Sequence, residues 1–426
     1  MMAQILTRYG YNLMVHGLQP LLRAKLARRA RREPGYGLAV QERFGHYLQP
    51  AESGSELIWI HAVSLGETRA AAVLMRALRE QRADLRFLLT HGTATGRAEG
   101  VSLLRQGDLQ VWQPWDTTVA TSRFMRHFKP RLGVLMETEV WPNCVAAAAA
   151  AGVPLVLANA RLSEKSLRQA LRWSALARPA YGALSAAWAQ TEEDARRLRA
   201  IGAPVQATLG NLKFDAQPDA SQLALAAQRR GLLPRPVLMF ASSREGEEAL
   251  LLKALAAKSS PRPFDLLIVP RHPQRFDEVA ALIQAHGHRV SRRSTWGQDL
   301  SAWPPEPGSI SLGDSLGEMA LYYGLSSATL LGGSFLRLGG QNLIEAAACG
   351  CPVILGPHTF NFSEAAEQAL REGAACRVQN FEQALQQAAD WMRDGAAARR
   401  SEQAIGFAQR HRGSARATAE RLLSLL

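Results

Sequence analysis

The stretch LIWIHAVSLGETRAAAVLMRALR, residues 57–79, decides the fold. Its first five residues, 57–61, run apolar without polar alternation, as a strand buried on both faces requires. Ser64, Gly66 and Glu67 break that run, and from Thr68 to Arg79 alanine and leucine recur at helical spacing. A buried strand that turns within a few residues into an amphipathic helix is the unit from which helix-covered parallel sheets are built. The same alternation continues outward from this stretch. Apolar runs at 87–90, 132–136, 154–158, 186–189 and 205–209 predict the other strands of a first sheet. Runs at 237–241, 265–269, 309–312, 328–331 and 352–355 predict a second. Helices are expected over 68–79, 166–176, 193–200, 245–257 and 275–285, and the alanine run 146–151 also reads as helix.

At 426 residues the chain exceeds one ordinary core and suits two domains. Periodicity is weakest at 215–236, where Pro, Gln, Asp and Ser gather, so that stretch is expected as a linker. The expected division is a basic and apolar segment at 1–50, a first α/β domain at 51–214, and a second at 237–426 that includes the C-terminal helices. Open α/β sheets bind ligands beyond the carboxyl ends of their strands, so a cleft between two such ends is the expected site. Hydrophobic residues at 47% and charged residues at 20% describe a globular protein and exclude collagen, coiled coil and multi-span membrane classes. The four cysteines (Cys144, Cys349, Cys351, Cys376) show neither a disulfide framework nor zinc-ligand spacing, so no structural metal is expected.

Net charge is +13, and its location narrows its meaning. Residues 1–50 carry eight Lys or Arg against two acids, and six of the eight lie from Arg23 to Arg32, directly after an apolar stretch at 5–22. Arg8, Asn12, His16, Gln19 and Pro20 interrupt that stretch, so it falls short of a membrane span, and charge placed after the apolar part does not fit a signal peptide. Two readings remain: a shallow anchor whose basic cluster meets anionic lipid heads from the cytoplasmic side, or a solvated basic helix. Nucleic acid is not an expected partner, because no aromatic-rich basic sheet or recognition helix accompanies the charge.

Several turns after predicted strands carry groups that a plain scaffold does not need. Glu67 opens a helix at a strand end, where it serves either as a general base or as a complement to the helix dipole. Glu137 and Glu139 follow the strand at 132–136; in extended chain they share a face and each raises the other's pKa, while in a loop they are solvated acids. Lys213 lies just before the linker, placed to neutralise a phosphate or to serve as a surface charge. In the second half, Arg271 and His272 stand between prolines after a strand and suit an anion. Residues 313–318 and 332–340 are glycine-bearing turns ahead of helices, of the kind that make anion nests, and 241–248 is similar. Asn342 with Glu345 suits ribose hydroxyls. No Walker A motif and no GxGxxG after the first strand is present.

Together these segments resemble the Kdo transferases, which attach 3-deoxy-D-manno-octulosonic acid (Kdo) to lipid A precursors. The resemblance rests on eight motifs in order: HAVSLGE (61–67), ETEVWPN (137–143), ANARLSEKS (158–166), GNLKFD (210–215), ASSREGEE (241–248), VPRHPQRF (269–276), GDSLGEM (313–319) and GGQNLIEAAACGCPVILGPHTFNF (339–362). It implies a GT-B fold, two Rossmann-like domains facing across a cleft with an N-terminal membrane-associating helix. It implies an inverting glycosyltransferase with CMP-Kdo as donor and a lipid A precursor (lipid IV-A) as acceptor, in lipopolysaccharide core biosynthesis at the cytoplasmic face of the bacterial inner membrane. Glu67 then matches the general base, and Glu137 and Lys213 match positions that stabilise the transition state. Arg271, His272, Leu316, Gly317, Glu318, Asn342, Leu343, Ile344 and Glu345 match the CMP-binding segments. Basic side chains and helix N-termini suffice for a monophosphate leaving group, so neither metal nor other cofactor is implied. The sequence departs from the family pattern at Arg244, Gln341, Leu343 and Ala346. The alternatives are another GT-B enzyme using a UDP-sugar and, in a different class, a nucleic-acid-binding protein.

Overall fold

The computed structural model describes residues 2–54, 56–257, 262–304, 306 and 308–426. The chain divides into two compact units, Met1–Asp215 with Arg412–Leu426, and Ala216–His411.

The first unit is built on a seven-stranded, wholly parallel sheet. Its strands are β1 (Leu57–His61), β2 (Arg86–His91), β3 (Leu109–Trp112), β4 (Leu132–Met136), β5 (Leu155–Ala160), β6 (Ala186–Ala189) and β7 (Val205–Thr208), in the order β3-β2-β1-β4-β5-β6-β7. The central strands β1, β4 and β5 are buried at every position, which is why their sequences run apolar without alternation. Trp59 lies across the sheet onto β4, where a Cβ on Gly133 would stand 2.8 Å from the indole, so only glycine fits. The helix Leu65–Gln81 covers one face with Ala70, Ala71, Leu74, Met75 and Leu78.

Two helices, Met2–Gly17 and Gln19–Ala30, precede the sheet. The first is fastened by Tyr11, whose hydroxyl donates to Asp116 at 2.7 Å, and by Asn12, whose Oδ1 accepts from Asn143 at 2.8 Å. Leu6, Tyr9 and Leu13, spaced on another face of the same helix, are 65%, 70% and 78% exposed. No helix among the described residues is long and apolar enough to cross a membrane.

The second unit also has a seven-stranded parallel sheet. Its strands are β8 (Val237–Ser243), β9 (Asp265–Pro270), β10 (Val290–Arg292), β11 (Ile310–Leu312), β12 (Ala328–Leu331), β13 (Val353–Leu355) and β14 (Ala375–Arg377), in the order β10-β11-β9-β8-β12-β13-β14.

The structure departs from the expected organisation in four places. Residues 215–236 are not bare linker: they hold the helix Ala220–Arg230, capped by Asp219 and packed on the helix Met319–Leu325. The C-terminal residues Arg412–Leu426 belong to the first unit, where Ala415, Ala419 and Leu422 of the helix Ser414–Leu423 join the core beside Leu65–Gln81. The expected helix at 166–176 is two, Glu164–Arg172 and Ser174–Gly182, parted at Trp173. Three strands escape the apolar pattern, β3, β10 and β14, because all are edge strands of three or four residues.

Candidate functional site

In the first unit the expected residues gather at the carboxyl ends of β1, β4 and the strands beside them. Ser64 caps the helix Leu65–Gln81, its Oγ accepting from the Glu67 N–H at 3.3 Å. The Glu67 carboxylate reaches back, accepting from the Val63 N–H at 2.6 Å and from the Ser64 hydroxyl at 3.1 Å. This reciprocal cap orients the side chain. Burial, and then the neighbouring charge of Glu137, push its carboxyl up to about 7. A carboxyl so shifted can exchange its proton near neutrality.

Glu137 does not continue the strand. The chain leaves β4 at Met136 and Glu137 takes a left-handed φ of 58°, with its N–H donating to the Ala158 carbonyl at 3.1 Å. The expectation of two carboxylates sharing one face of extended chain therefore fails at this turn. The Glu137 carboxylate is buried between two cations, Lys213 Nζ at 2.9 Å from one oxygen and Arg161 Nε at 2.9 Å from the other. Glu139 accepts from the Trp141 indole at 2.8 Å, and its pKa is raised by burial and, to a lesser extent, by the charge of Glu137, so that part of the expectation holds without extended chain. His61, wholly buried, has its pKa lowered by desolvation to about 3, so it is neutral.

Sequence reasoning placed Glu67, Glu137 and Lys213 here and missed Arg161, although ANARLSEKS contains it.

In the second unit, Arg271 and His272 follow β9, and burial, then the charges of Arg244 and Arg271, lowers the His272 pKa. Arg244 Nε is buried without a hydrogen-bond partner among the described residues. Gly317 takes a left-handed φ of 79°, and its carbonyl accepts from Gln222 at 2.9 Å. Glu318 accepts from Arg293 at 2.7 Å and from the Ser315 hydroxyl. Leu316 is 74% exposed. Asn342 closes its own turn, its Oδ1 accepting from the Ile344 N–H at 3.1 Å. Leu343 and Ile344 are buried in the core, so only their backbone can meet a ligand. Burial, with the charge of Glu345, raises the pKa of the Tyr323 hydroxyl.

The glycine-rich turn at 332–340 is not an open anion nest. Glu247, wholly buried, accepts from the N–H groups of Gly333 at 2.7 Å, Phe335 at 3.1 Å and Arg244 at 3.0 Å, so a carboxylate of the chain itself fills it. Glu248 likewise binds Arg275 at 2.7 Å and Ser243 at 2.7 Å inside the unit. Thus Glu247 and Glu248 serve as scaffold for their neighbours. Among the described residues no group of three or more His, Cys, Asp or Glu side chains is arranged to hold a metal ion.

The family model of 3-deoxy-D-manno-octulosonic-acid transferase (kdotransferase) matches residues 39–216. The chain is 46% identical to the 3-deoxy-D-manno-octulosonic acid transferase of Bordetella pertussis, over 97% of this chain and 98% of that protein. It is 32% identical to the transferase of the same name from Haemophilus influenzae, over 90% of each. Among solved structures, the Anabaena HepE protein in complex with UDP superposes with a TM-score of 0.56 at 13% identity, covering 87% of this chain and 100% of that one. That likeness shows the fold alone: α/β, with two parallel sheets and GT-B-like neighbours. Identity at this level along nearly the whole length, with the family model over the first unit, establishes that the chain belongs to the Kdo transferase family of glycosyltransferases.

Proposed function

We propose that the chain transfers Kdo from CMP-Kdo to a lipid A precursor, the phosphorylated and acylated glucosamine disaccharide lipid IV-A, with inversion, in lipopolysaccharide core biosynthesis. The observation that carries this reading is Glu67, a carboxyl raised to about 7 and held by a reciprocal cap at a strand end. In its ionised form Glu67 takes the proton of the acceptor hydroxyl. The acceptor oxygen bonds to the anomeric carbon as the bond from that carbon to the CMP oxygen breaks, and the electron pair leaves with CMP. Glu137 and Lys213 stabilise charge developing in that displacement, with Arg161 holding Glu137 in place. Arg271, His272, Leu316, Gly317, Glu318 and 342–345 bind CMP, with Arg271 and Arg244 supplying positive charge to the phosphate.

The N-terminal helices meet the cytoplasmic face of the bacterial inner membrane, an anionic surface. In support, Leu6, Tyr9 and Leu13 are exposed along one face of the helix that Tyr11 and Asn12 fasten to the unit. Of the basic cluster, Arg23 lies 3.4 Å over the Phe44 ring and Arg29 4.0 Å over Tyr36, which leaves Lys25, Arg28, Arg31 and Arg32 for lipid phosphates.

Mass spectrometry of a tetraacylated lipid A precursor incubated with the protein and CMP-Kdo generated in situ tests this function. A gain of one or more Kdo units supports it. No gain with CMP-Kdo, and a gain with a UDP-sugar instead, overturns it.

A further inference from the structure

We propose that Asn159, Gln190 and Asn211 are positioning residues for this transfer, a chain of three side-chain amides that sets the Lys213 ammonium against Glu137. The three stand at or just beyond the carboxyl ends of β5, β6 and β7, which are neighbours in the sheet. Gln190 Nε2 donates to the Asn159 backbone carbonyl at 2.9 Å. Its Oε1 accepts from Asn211 Nδ2 at 3.1 Å. Asn211 Oδ1 accepts from the Lys213 N–H at 3.0 Å, and Asn159 Oδ1 accepts from the Leu212 N–H at 3.0 Å. Both peptide groups that lead to the lysine side chain are therefore held by the two asparagine side chains, which Gln190 links through the Asn159 backbone carbonyl and the Asn211 amide.

The other partner of the ion pair is anchored at the same strand end. The Glu137 N–H donates to the Ala158 carbonyl at 3.1 Å, and the Glu137 carbonyl accepts from the Arg161 N–H at 3.2 Å, on either side of Asn159 in the sequence. Asn159 thus sits between the attachments of Glu137 and the attachment of the Lys213 turn. A single element sets the separation of the two charged groups.

The arrangement has costs that stability alone does not recommend. Asn159 has a left-handed φ of 52° and Glu137 one of 58°, both without glycine. Asn159 Nδ2 is buried with no hydrogen-bond partner among the described residues. An aspartate would accept from Leu212 equally well, but it would add another negative charge at the strand end that holds Glu137. A neutral amide gives the hydrogen bond without that charge.

This inference rests on the role proposed above for Lys213, and the test separates the two. Steady-state kinetics compare the full-length wild type with Lys213→Ala, Asn211→Ala, Asn159→Gly (which keeps the left-handed backbone unstrained) and the double variant Asn211→Ala/Lys213→Ala, with melting temperatures alongside. The expected result is that Asn211→Ala and Asn159→Gly each lower kcat about 10- to 100-fold, the cost of a misplaced catalytic group, with little change in the KM for CMP-Kdo. The double variant is then no slower than Lys213→Ala, because the amides act through the lysine. Losses that multiply in the double variant overturn the inference and leave the lysine its role. A Lys213→Ala variant as fast as wild type overturns both. If Asn211→Ala does not fold, Gln190→Ala, which breaks the middle of the chain, takes its place with the same criteria.

Discussion

Glu137 Oε1 lies 2.9 Å from Lys213 Nζ, and the charge of that same carboxylate is the second cause, after burial, of the raised Glu67 pKa. One side chain thus links Lys213 to the raised pKa of Glu67. Glu137 holds the lysine and, with burial, keeps the Glu67 carboxyl well above the ordinary carboxylate range.

Removing the Glu137 charge therefore has two separable effects. Glu137→Gln lowers the Glu67 pKa, so the acid limb of the kcat/KM profile, near pH 7 in the wild type, moves to lower pH. The maximal rate falls about 10- to 1000-fold with the loss of an electrostatic group at the reacting centre. Rate–pH profiles of the two proteins read both effects.

Glu67 also leaves a mark on stability. Its folded pKa, about 7, lies above the ordinary carboxyl value of 4.5. The folded state therefore binds the Glu67 proton more tightly, and that stabilisation, complete below the ordinary value, is lost as pH rises through about 7. Glu67→Gln has no such loss. The difference in melting temperature, variant minus wild type, should grow from pH 5 to pH 8, as thermal denaturation at the two pH values measures.

Glu247 belongs to the scaffold rather than to the chemistry. Glu247→Ala strands the N–H groups of Gly333, Phe335 and Arg244 inside the second unit, at a cost of roughly 2–5 kcal/mol. Calorimetry should show a lower melting temperature and, because Arg244 follows the same turn, CMP binding weakened at least about tenfold.

The exposed cations of the N-terminal helices are expected to act additively on lipid. Replacing Lys25, Arg28, Arg31 and Arg32 by alanine one after another should weaken binding to phosphatidylglycerol-containing vesicles by about 1 kcal/mol each. The loss should shrink at high salt. Sedimentation with vesicles at two ionic strengths measures it.

Long-range order in this chain was legible wherever burial is uniform. β1, β4, β6 and β12 begin and end where apolar runs predict them, because strands covered on both faces admit no polar alternation. The edge strands β10 and β14 are short and their Arg292 and Arg377 are exposed or half-buried, so no run marks them. The placement of Glu67, Glu137 and Lys213 in turns after strands was legible. That the chain turns at Glu137 was not, because a left-handed residue other than glycine has no sequence signature. Nor does sequence tell a glycine turn that awaits an anion from one already filled by Glu247, since that carboxylate comes from more than eighty residues away.

The central claim is that Glu67 is the base of Kdo transfer, and the most direct measurement is transfer from CMP-Kdo to the tetraacylated precursor by wild type and by Glu67→Gln, followed by mass spectrometry. The account predicts product mass with the wild type and none with the variant, while the variant binds CMP and melts as a folded protein. A folded Glu67→Gln that transfers Kdo at the wild-type rate would contradict it and place the proton acceptor elsewhere.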